Sequence, residues 1–290
     1  MFHSRTFARW AFLAPYLLGA LLLVALPAAL SFAVALTRYN GVSSPTFAGL
    51  KNFQTLEQEP LFWVALNRSL IFIVMAVPLR IFGALILALL HNRPRRGTGL
   101  YRAVTALPTI IPDASYALAW TWILNPLYGP LNAVLRALGL PAPAWLVDSA
   151  WAIPALVLMS LFQIGEGFII LLAGLRHIPR ELHDSARVDG ANALQRFTYI
   201  TLPLLAPWLA LLSIRDATLS FQNTFTPAYL MTRGGPYYST FFFTQLIYET
   251  AFDRMDFGQA SAILWIVFLV TILLVMLVYF LFEDGGFHEA

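Results

Sequence analysis

The chain has 290 residues, of which 59% are hydrophobic and only 11% are charged, and its mean hydropathy is +0.70. Soluble domains carry roughly a quarter charged residues, so this composition excludes an ordinary soluble domain and predicts an all-α polytopic membrane protein. The formal net charge is only +3 and the arginines lie beside apolar segments, which argues against nucleic-acid binding, while the lack of cysteine excludes disulfides and thiolate metal sites.

Six apolar segments are long enough to cross a membrane. The first follows Arg5 and Arg9, and its 26 residues exceed the apolar core of a signal peptide, so we expect an uncleaved helix. The third contains Pro108 and Pro112, and the fourth is interrupted around Glu166. In chain order the predicted spans are residues 11–36, 61–90, 103–124, 150–175, 199–221 and 258–282. They predict a single transmembrane domain over residues 1–290.

The distribution of basic residues predicts the orientation of these spans, because cytoplasmic loops are enriched in arginine and lysine. Loops 91–102 and 176–198 are the most basic, so six spans would place both termini in the cytoplasm. Ten basic residues then lie inside and five outside. The inner set is Arg5, Arg9, Arg93, Arg95, Arg96, Arg102, Arg176, Arg180, Arg187 and Arg196, and the outer set is Arg38, Lys51, Arg136, Arg233 and Arg254.

The loop at residues 176–198 predicts a short amphipathic helix outside the membrane. Pro179 suits the first turn, and Gly190 suits the stop because glycine adopts the left-handed conformation at little cost. Ile178, Leu182 and Ala186 share one face by their spacing. A helix this short is marginal alone in water, so we expect it to bind a partner on the aqueous side.

The same loop resembles the EAA loop of ABC importer permeases. Asp184-Ser185-Ala186, then Gly190 and Ile200-Thr201-Leu202-Pro203, keep the spacing of that motif, with Asp184 in place of its glutamate and Ser185 in place of its first alanine. The stretches FLAPYLL, FAGLKNF, GPLNAVL, LLAGLRHIP and LMTRGGP are similar to the carbohydrate-type permeases for maltose, other oligosaccharides and glycerol 3-phosphate.

The resemblance implies a type I importer permease fold and one half of a heterodimeric pore for a sugar or related polyol, in a bacterial or archaeal cytoplasmic membrane. Its implied partners are a second permease, two ATPase subunits and an extracytoplasmic solute-binding protein. ATP and magnesium would be bound by the ATPase subunits, because this chain has no P-loop, and no cofactor is expected here. The implied ATPase-coupling residues are Pro179, Glu181, Leu182, Asp184, Ser185, Ala186, Asp189 and Gly190.

Polar groups inside the apolar segments are candidates for a substrate path, because such groups are costly in lipid and tend to face a cavity or another helix. The candidates are Gln163, Glu166, Asp216, Ser220 and Asn223, with Phe221, Tyr116 and Trp120 as aromatic platforms for a sugar. The alternative is that Arg80, Glu166, Arg215 and Asp216 pair with one another to hold the helices together. Arg215 and Asp216 are adjacent, so their partners must lie on other helices.

Two other functional classes remain as alternatives. A polytopic membrane enzyme would need a catalytic constellation, and the sequence contains neither His-Glu-x-x-His nor Gly-x-Ser-x-Gly, so no catalytic or metal-binding residue is predicted. An ion-coupled secondary carrier usually shows internal repeats with broken helices, which a six-span chain with one cytoplasmic coupling loop fits poorly.

Overall fold

A computed structural model describes residues 12–92 and 97–283 of this predominantly helical chain. The predicted positions of both termini fall on residues that are not described. The same holds for five of the basic residues used to predict the orientation, Arg5, Arg9, Arg93, Arg95 and Arg96. The helices of eight residues or more are α1 (Phe12–Ala35), α3 (Pro60–His91), α4 (Thr98–Ala106), α5 (Asp113–Ile123), α6 (Pro130–Ala137), α7 (Ser149–Gln163), α8 (Gly165–His177), α9 (Arg180–Val188), α10 (Ala193–Thr232) and α12 (Phe257–Glu283). Shorter ones are α2 (Lys51–Glu57) and α11 (Phe243–Tyr248).

Four of the described helices, α1, α3, α10 and α12, are long and apolar enough to span a membrane. A fifth candidate is the pair α7 and α8, which bend by 51° at the break between Gln163 and Gly165. That break coincides with the interruption predicted around Glu166. A β-carbon on Gly165 would lie 2.8 Å from the Cα of Ala106 and 2.9 Å from the carbonyl oxygen of Thr105, so a glycine is needed where α8 approaches α4.

The predicted span over residues 103–124 is broken in the structure. Helix α4 ends at Ala106, a 3-10 turn covers Leu107–Ile110, and α5 begins at Asp113. Ile111 is extended, with a ψ of 130°, because the ring of Pro112 disfavours a helical conformation in the residue before it. The described chain therefore has four or five candidate spans by length and composition.

The structure divides into two compact units. The first contains residues 1–62 and 246–268, and its described part includes strands β1 (Thr37–Arg38) and β2 (Thr46–Phe47), paired antiparallel with Thr37 opposite Phe47. The buried amide of Asn52 donates to the carbonyl oxygens of Ala35 and Thr37, both at 2.8 Å. These bonds tie the loop after α1 to α2.

The second unit contains residues 63–245 and 269–290, and its core is built where α8 packs against α10. Phe168 and Leu171 from α8 and Leu205 from α10 are fully buried in this cluster. A second cluster surrounds Tyr116 on α5, whose hydroxyl donates to the carbonyl oxygen of Met159 at 2.9 Å. These contacts fix α5, α7, α8 and α10 around the site described next.

Candidate functional site

A cavity of about 250 Å³ lies inside the second unit, between α3, α5, α7, α8 and α10. This volume is just below the range of about 300–1,000 Å³ that is usual for small-molecule sites. Its wall is unusual for such apolar helices, because five ionisable side chains and several neutral polar ones line it. The polar lining residues are Arg80, Thr109, Asp113, Tyr116, Ser160, Gln163, Glu166, Arg215, Asp216, Ser220, Asn223 and Thr224.

A nearly buried ion pair joins α3 to α10 at this cavity. Arg80 Nε lies 2.9 Å from Asp216 Oδ2, and the two side chains are only 17% and 15% exposed. Arg80 also donates through Nη2 to the hydroxyl of Ser220, which in turn donates to the carbonyl oxygen of Asp216 at 2.7 Å. The charge of Arg80 is therefore neutralised by the helix that it faces, as burial of a charge requires.

A second ion pair, between Arg215 on α10 and Glu166 on α8, is more open, with the two side chains 36% and 57% exposed. The four residues that the alternative interpretation expected to pair therefore do so, as Arg80 with Asp216 and Arg215 with Glu166. The same four side chains also line the cavity, so structural pairing and cavity lining are compatible here. Asp113 is the one lining carboxylate that forms no ion pair with another described residue.

The remaining predicted path residues divide into two groups. Gln163, Asn223 and Tyr116 line the cavity, whereas Trp120 and Phe221 do not. Trp120 packs against Phe162, with ring centroids 5.0 Å apart. Phe221 is 4% exposed and points into the protein core instead. Of the three aromatic residues predicted as a platform for a sugar, only Tyr116 lines this cavity.

Several lining residues were missed by the sequence reasoning. Asp113 is ionisable and lies inside an apolar segment, so the cost of a charge in lipid was a signal that could have identified it. Thr109, Ser160 and Thr224 carry no comparable signal, because hydroxyl side chains often bond back to their own helix. Thr109 and Ser160 do so here, donating to carbonyl oxygens three residues earlier.

The loop after α8 forms the predicted amphipathic helix, α9. Gly190 has a φ of +79°, and its neighbour Ala191 donates to the carbonyl oxygen of Ala186 at 2.8 Å, which closes the helix with a Schellman-type stop. A capping box between Asn192 and Gln195 then starts α10. Ile178, which the spacing placed on the apolar face of this helix, instead precedes it in an extended conformation and is buried in the core cluster of α8 and α10. None of the residues of α9 itself is buried, and Leu182 is 42% exposed.

Apolar helices around a polar cavity, with an exposed amphipathic helix between two of them, fit a subunit of a membrane transporter. A sequence profile of the family described as "Binding-protein-dependent transport system inner membrane component" matches residues 62–284. The chain belongs to this family. It is an inner-membrane permease subunit of an ABC importer, a class in which separate ATPase subunits hydrolyse ATP.

Individual relatives and solved structures agree with this assignment. The chain is 32% identical over 277 residues to the probable ABC transporter permease YesP of Bacillus subtilis, covering 94% of this chain and 89% of the relative. It is 30% identical to the lactose transport system permease LacF of Rhizobium radiobacter, covering 93% and 92%. A bacterial ABC transporter that imports the acidic polysaccharide alginate has the same fold, with a TM-score of 0.81, 22% identity and coverage of 97% and 96%.

Proposed function

We propose that this permease subunit imports a sugar or related polyol and that the cavity of the second unit is its part of the translocation path. The observation that carries the proposal is the polar wall formed by Gln163, Glu166, Asp216, Ser220 and Asn223 on otherwise apolar helices. Neutral amides and hydroxyls suit the hydroxyl groups of a carbohydrate, since each donates or accepts hydrogen bonds. Relatives named for transport of lactose and of sn-glycerol 3-phosphate support this solute class.

The proposal includes six spans with both termini in the cytoplasm. The candidate spans α1, α3, α10 and α12 and the bent pair α7–α8 supply five, and the broken segment α4–α5 would supply the sixth. A break within a membrane segment is tolerated where the backbone is buried in protein or lines a cavity. Thr109 and Asp113, on either side of this break, both line the cavity, which supports that placement.

The proposed assembly pairs this chain with a second, homologous permease, two cytoplasmic ATPase subunits and an extracytoplasmic solute-binding protein. Helix α9 would dock in the ATPase through Pro179, Glu181, Leu182, Asp184, Ser185, Ala186, Asp189 and Gly190. Its exposed surface and its closed C-terminal end at Gly190 support this role, because the stop fixes where the helix ends. ATP and magnesium would stay on the partner subunits, and this chain would bind no cofactor.

The test begins by identifying the solute held by the cognate binding protein and then measuring ATP-driven uptake of that solute by the reconstituted transporter. Asn223→Ala and Gln163→Ala are expected to reduce uptake while assembly and basal ATPase activity stay normal. Gln222→Ala is the matched control, because this exposed amide adjoins Asn223 and does not line the cavity. Equal loss in all three variants, or parallel loss of assembly, would show that the cavity is not the path.

Coupling is tested separately with Asp184→Lys on α9. Asp184 is exposed, and within this chain it pairs only with the exposed Arg187 of the same helix among the described residues, so the substitution should leave the permease folded. We expect ATP hydrolysis to continue with reduced uptake, together with weaker retention of the ATPase. Normal uptake by this variant would contradict the docking role of α9.

A further inference from the structure

A second concave surface of the second unit has a different chemistry from the translocation cavity. It is a groove of about 740 Å³ between α4 and α8, with an apolar floor that includes Phe168, Ile169 and Leu172. Its edge carries Arg102 from α4 and Arg176 and His177 from the end of α8. No described carboxylate lines it, so the groove carries net positive charge.

We propose that this groove binds an anionic phospholipid of the surrounding membrane. The arginines would contact its phosphate, and the apolar floor would contact the first part of an acyl chain. Basic grooves between membrane helices at the level of the lipid headgroups bind anionic lipids through this combination of charge and apolar contact. The inference needs only a membrane location, which the family establishes, and does not depend on the transported solute.

Arg102 is anchored by one hydrogen bond within the protein, which occupies only part of its donor capacity. Its Nη2 donates to the carbonyl oxygen of His91 at 3.0 Å, at the end of α3. Its Nε is enclosed and has no hydrogen-bond partner among the described residues. A guanidinium has five N–H donors, so the terminal nitrogens, and not the enclosed Nε, retain donors for an added anion.

Arg176 supplies a second cation, and its position sets the depth of the site. It is exposed and forms no ion pair with any residue that the structure describes. Helix α8 ends at His177, immediately after a run of apolar residues, which is where a membrane helix meets the headgroup region. Ile169, two turns earlier on α8, is 52% exposed and would face the acyl chain. In the proposed topology this is the cytoplasmic leaflet.

The experiment measures lipid retention by the complete transporter, using phosphatidylglycerol as the anionic probe and phosphatidylcholine as the neutral one. Native mass spectrometry counts bound lipids after transfer into nanodiscs that contain both. We expect a preference for phosphatidylglycerol, and we expect Arg102→Ala combined with Arg176→Ala to weaken its binding roughly thirty-fold, since each basic side chain near the surface contributes about 1 kcal/mol. Arg38→Ala is the matched control, because Arg38 is exposed and does not line the groove.

Two further measurements use the wild-type transporter, so they test the proposal even if the double variant folds poorly. On the wild-type transporter, a photoactivatable phosphatidylglycerol should cross-link to residues 168–177, and cross-links confined to other segments would overturn the proposal. Millimolar inorganic phosphate should not displace the lipid if the apolar floor contributes. Displacement by phosphate alone, equal retention of both lipids, or full retention by the folded double variant would each show that the groove is not an anionic lipid site.

Discussion

The buried ion pair between Arg80 and Asp216 should stabilise the protein more than the exposed pair between Arg187 and Asp184 does. Arg187 and Asp184 form the same kind of pair at the same distance of 2.9 Å, but their side chains are 56% and 66% exposed, against 17% and 15% for Arg80 and Asp216. The two pairs differ in burial and also in placement, because Arg80 and Asp216 join two helices whereas Arg187 and Asp184 lie three residues apart on one. Removing one partner of a buried pair leaves an uncompensated charge and costs about 3–5 kcal/mol. An exposed pair contributes only about 0.2–1 kcal/mol.

Asp216→Ala is accordingly expected to lower stability by about 3–5 kcal/mol, because Arg80 would keep only its bond to Ser220. This is a large share of the 5–15 kcal/mol by which proteins are usually stable, so we expect a sharp loss of assembled transporter and a lower midpoint of thermal unfolding. Asp184→Ala should leave the midpoint of thermal unfolding nearly unchanged, because this pair is exposed; its effect on the assembled fraction is a separate question, since Asp184 belongs to the proposed ATPase-docking surface. The combined Arg80→Met and Asp216→Leu substitution should recover most of the assembly, since it leaves no unpaired charge.

The measurement follows the assembled fraction by size-exclusion chromatography and thermal unfolding by intrinsic fluorescence, on transporter purified from the same membranes. The reasoning is refuted if Asp216→Ala lowers the midpoint of thermal unfolding no more than Asp184→Ala does. It is also refuted if the double substitution is worse than Asp216→Ala alone, because the penalty would then come from lost packing rather than from an unpaired charge. Uptake by the recovered double variant adds a functional result, since it reports whether the cavity needs these charges.

Three other predictions are open to direct test. Gly190→Val should reduce assembly with the ATPase, because the φ of +79° is strained for a β-branched residue even though the space around Gly190 is open; normal assembly would contradict this. Gly165→Ala should destabilise the transporter by about 1–3 kcal/mol through overpacking, whereas Gly99→Ala, with nothing within 4 Å, should not, as thermal unfolding would show. A membrane-impermeant thiol reagent applied to sealed cells should label Pro45→Cys and not Arg187→Cys, and the reverse would refute the proposed topology.

The elements that could be predicted are those for which length and hydropathy suffice. Helices α1, α3 and α12 arise from long apolar runs, and such runs have few alternatives to a helix in lipid. Helix α9 and its stop at Gly190 could also be predicted, because the signals are local to a few residues. The break between Ala106 and Asp113, inside the third predicted segment, could not be predicted from hydropathy, because hydropathy does not register the backbone restriction that Pro112 places on Ile111.

The site was predictable through its charges but not through its aromatic residues. An ionisable group in an apolar helix must face a partner or a cavity, and this reasoning identified Arg80, Glu166 and Asp216. It could not decide between pairing and lining, because that choice depends on which helices meet. Trp120 and Phe221 do not line the cavity, and the sequence could not show this, since an aromatic side chain is as stable in a core as in a cavity and the rotation of each helix, set by packing, determines which of the two it faces.

Helix α9 is joined to the cavity by the helix before it, α8, and by the helix after it, α10, and these two helices pack against each other. Helix α8 carries Glu166 in its first turn and ends at His177, three residues before α9 begins at Arg180. Helix α10 starts soon after α9 and carries Arg215 to the cavity, where it pairs with Glu166. A helix of 13 residues is about 20 Å long, and the buried contacts between α8 and α10 hold it against its neighbour. If α9 moves with the ATPase as proposed, these packed helices offer a direct connection from α9 to the Glu166–Arg215 pair, and we expect this pair to be where coupling changes the shape of the proposed path.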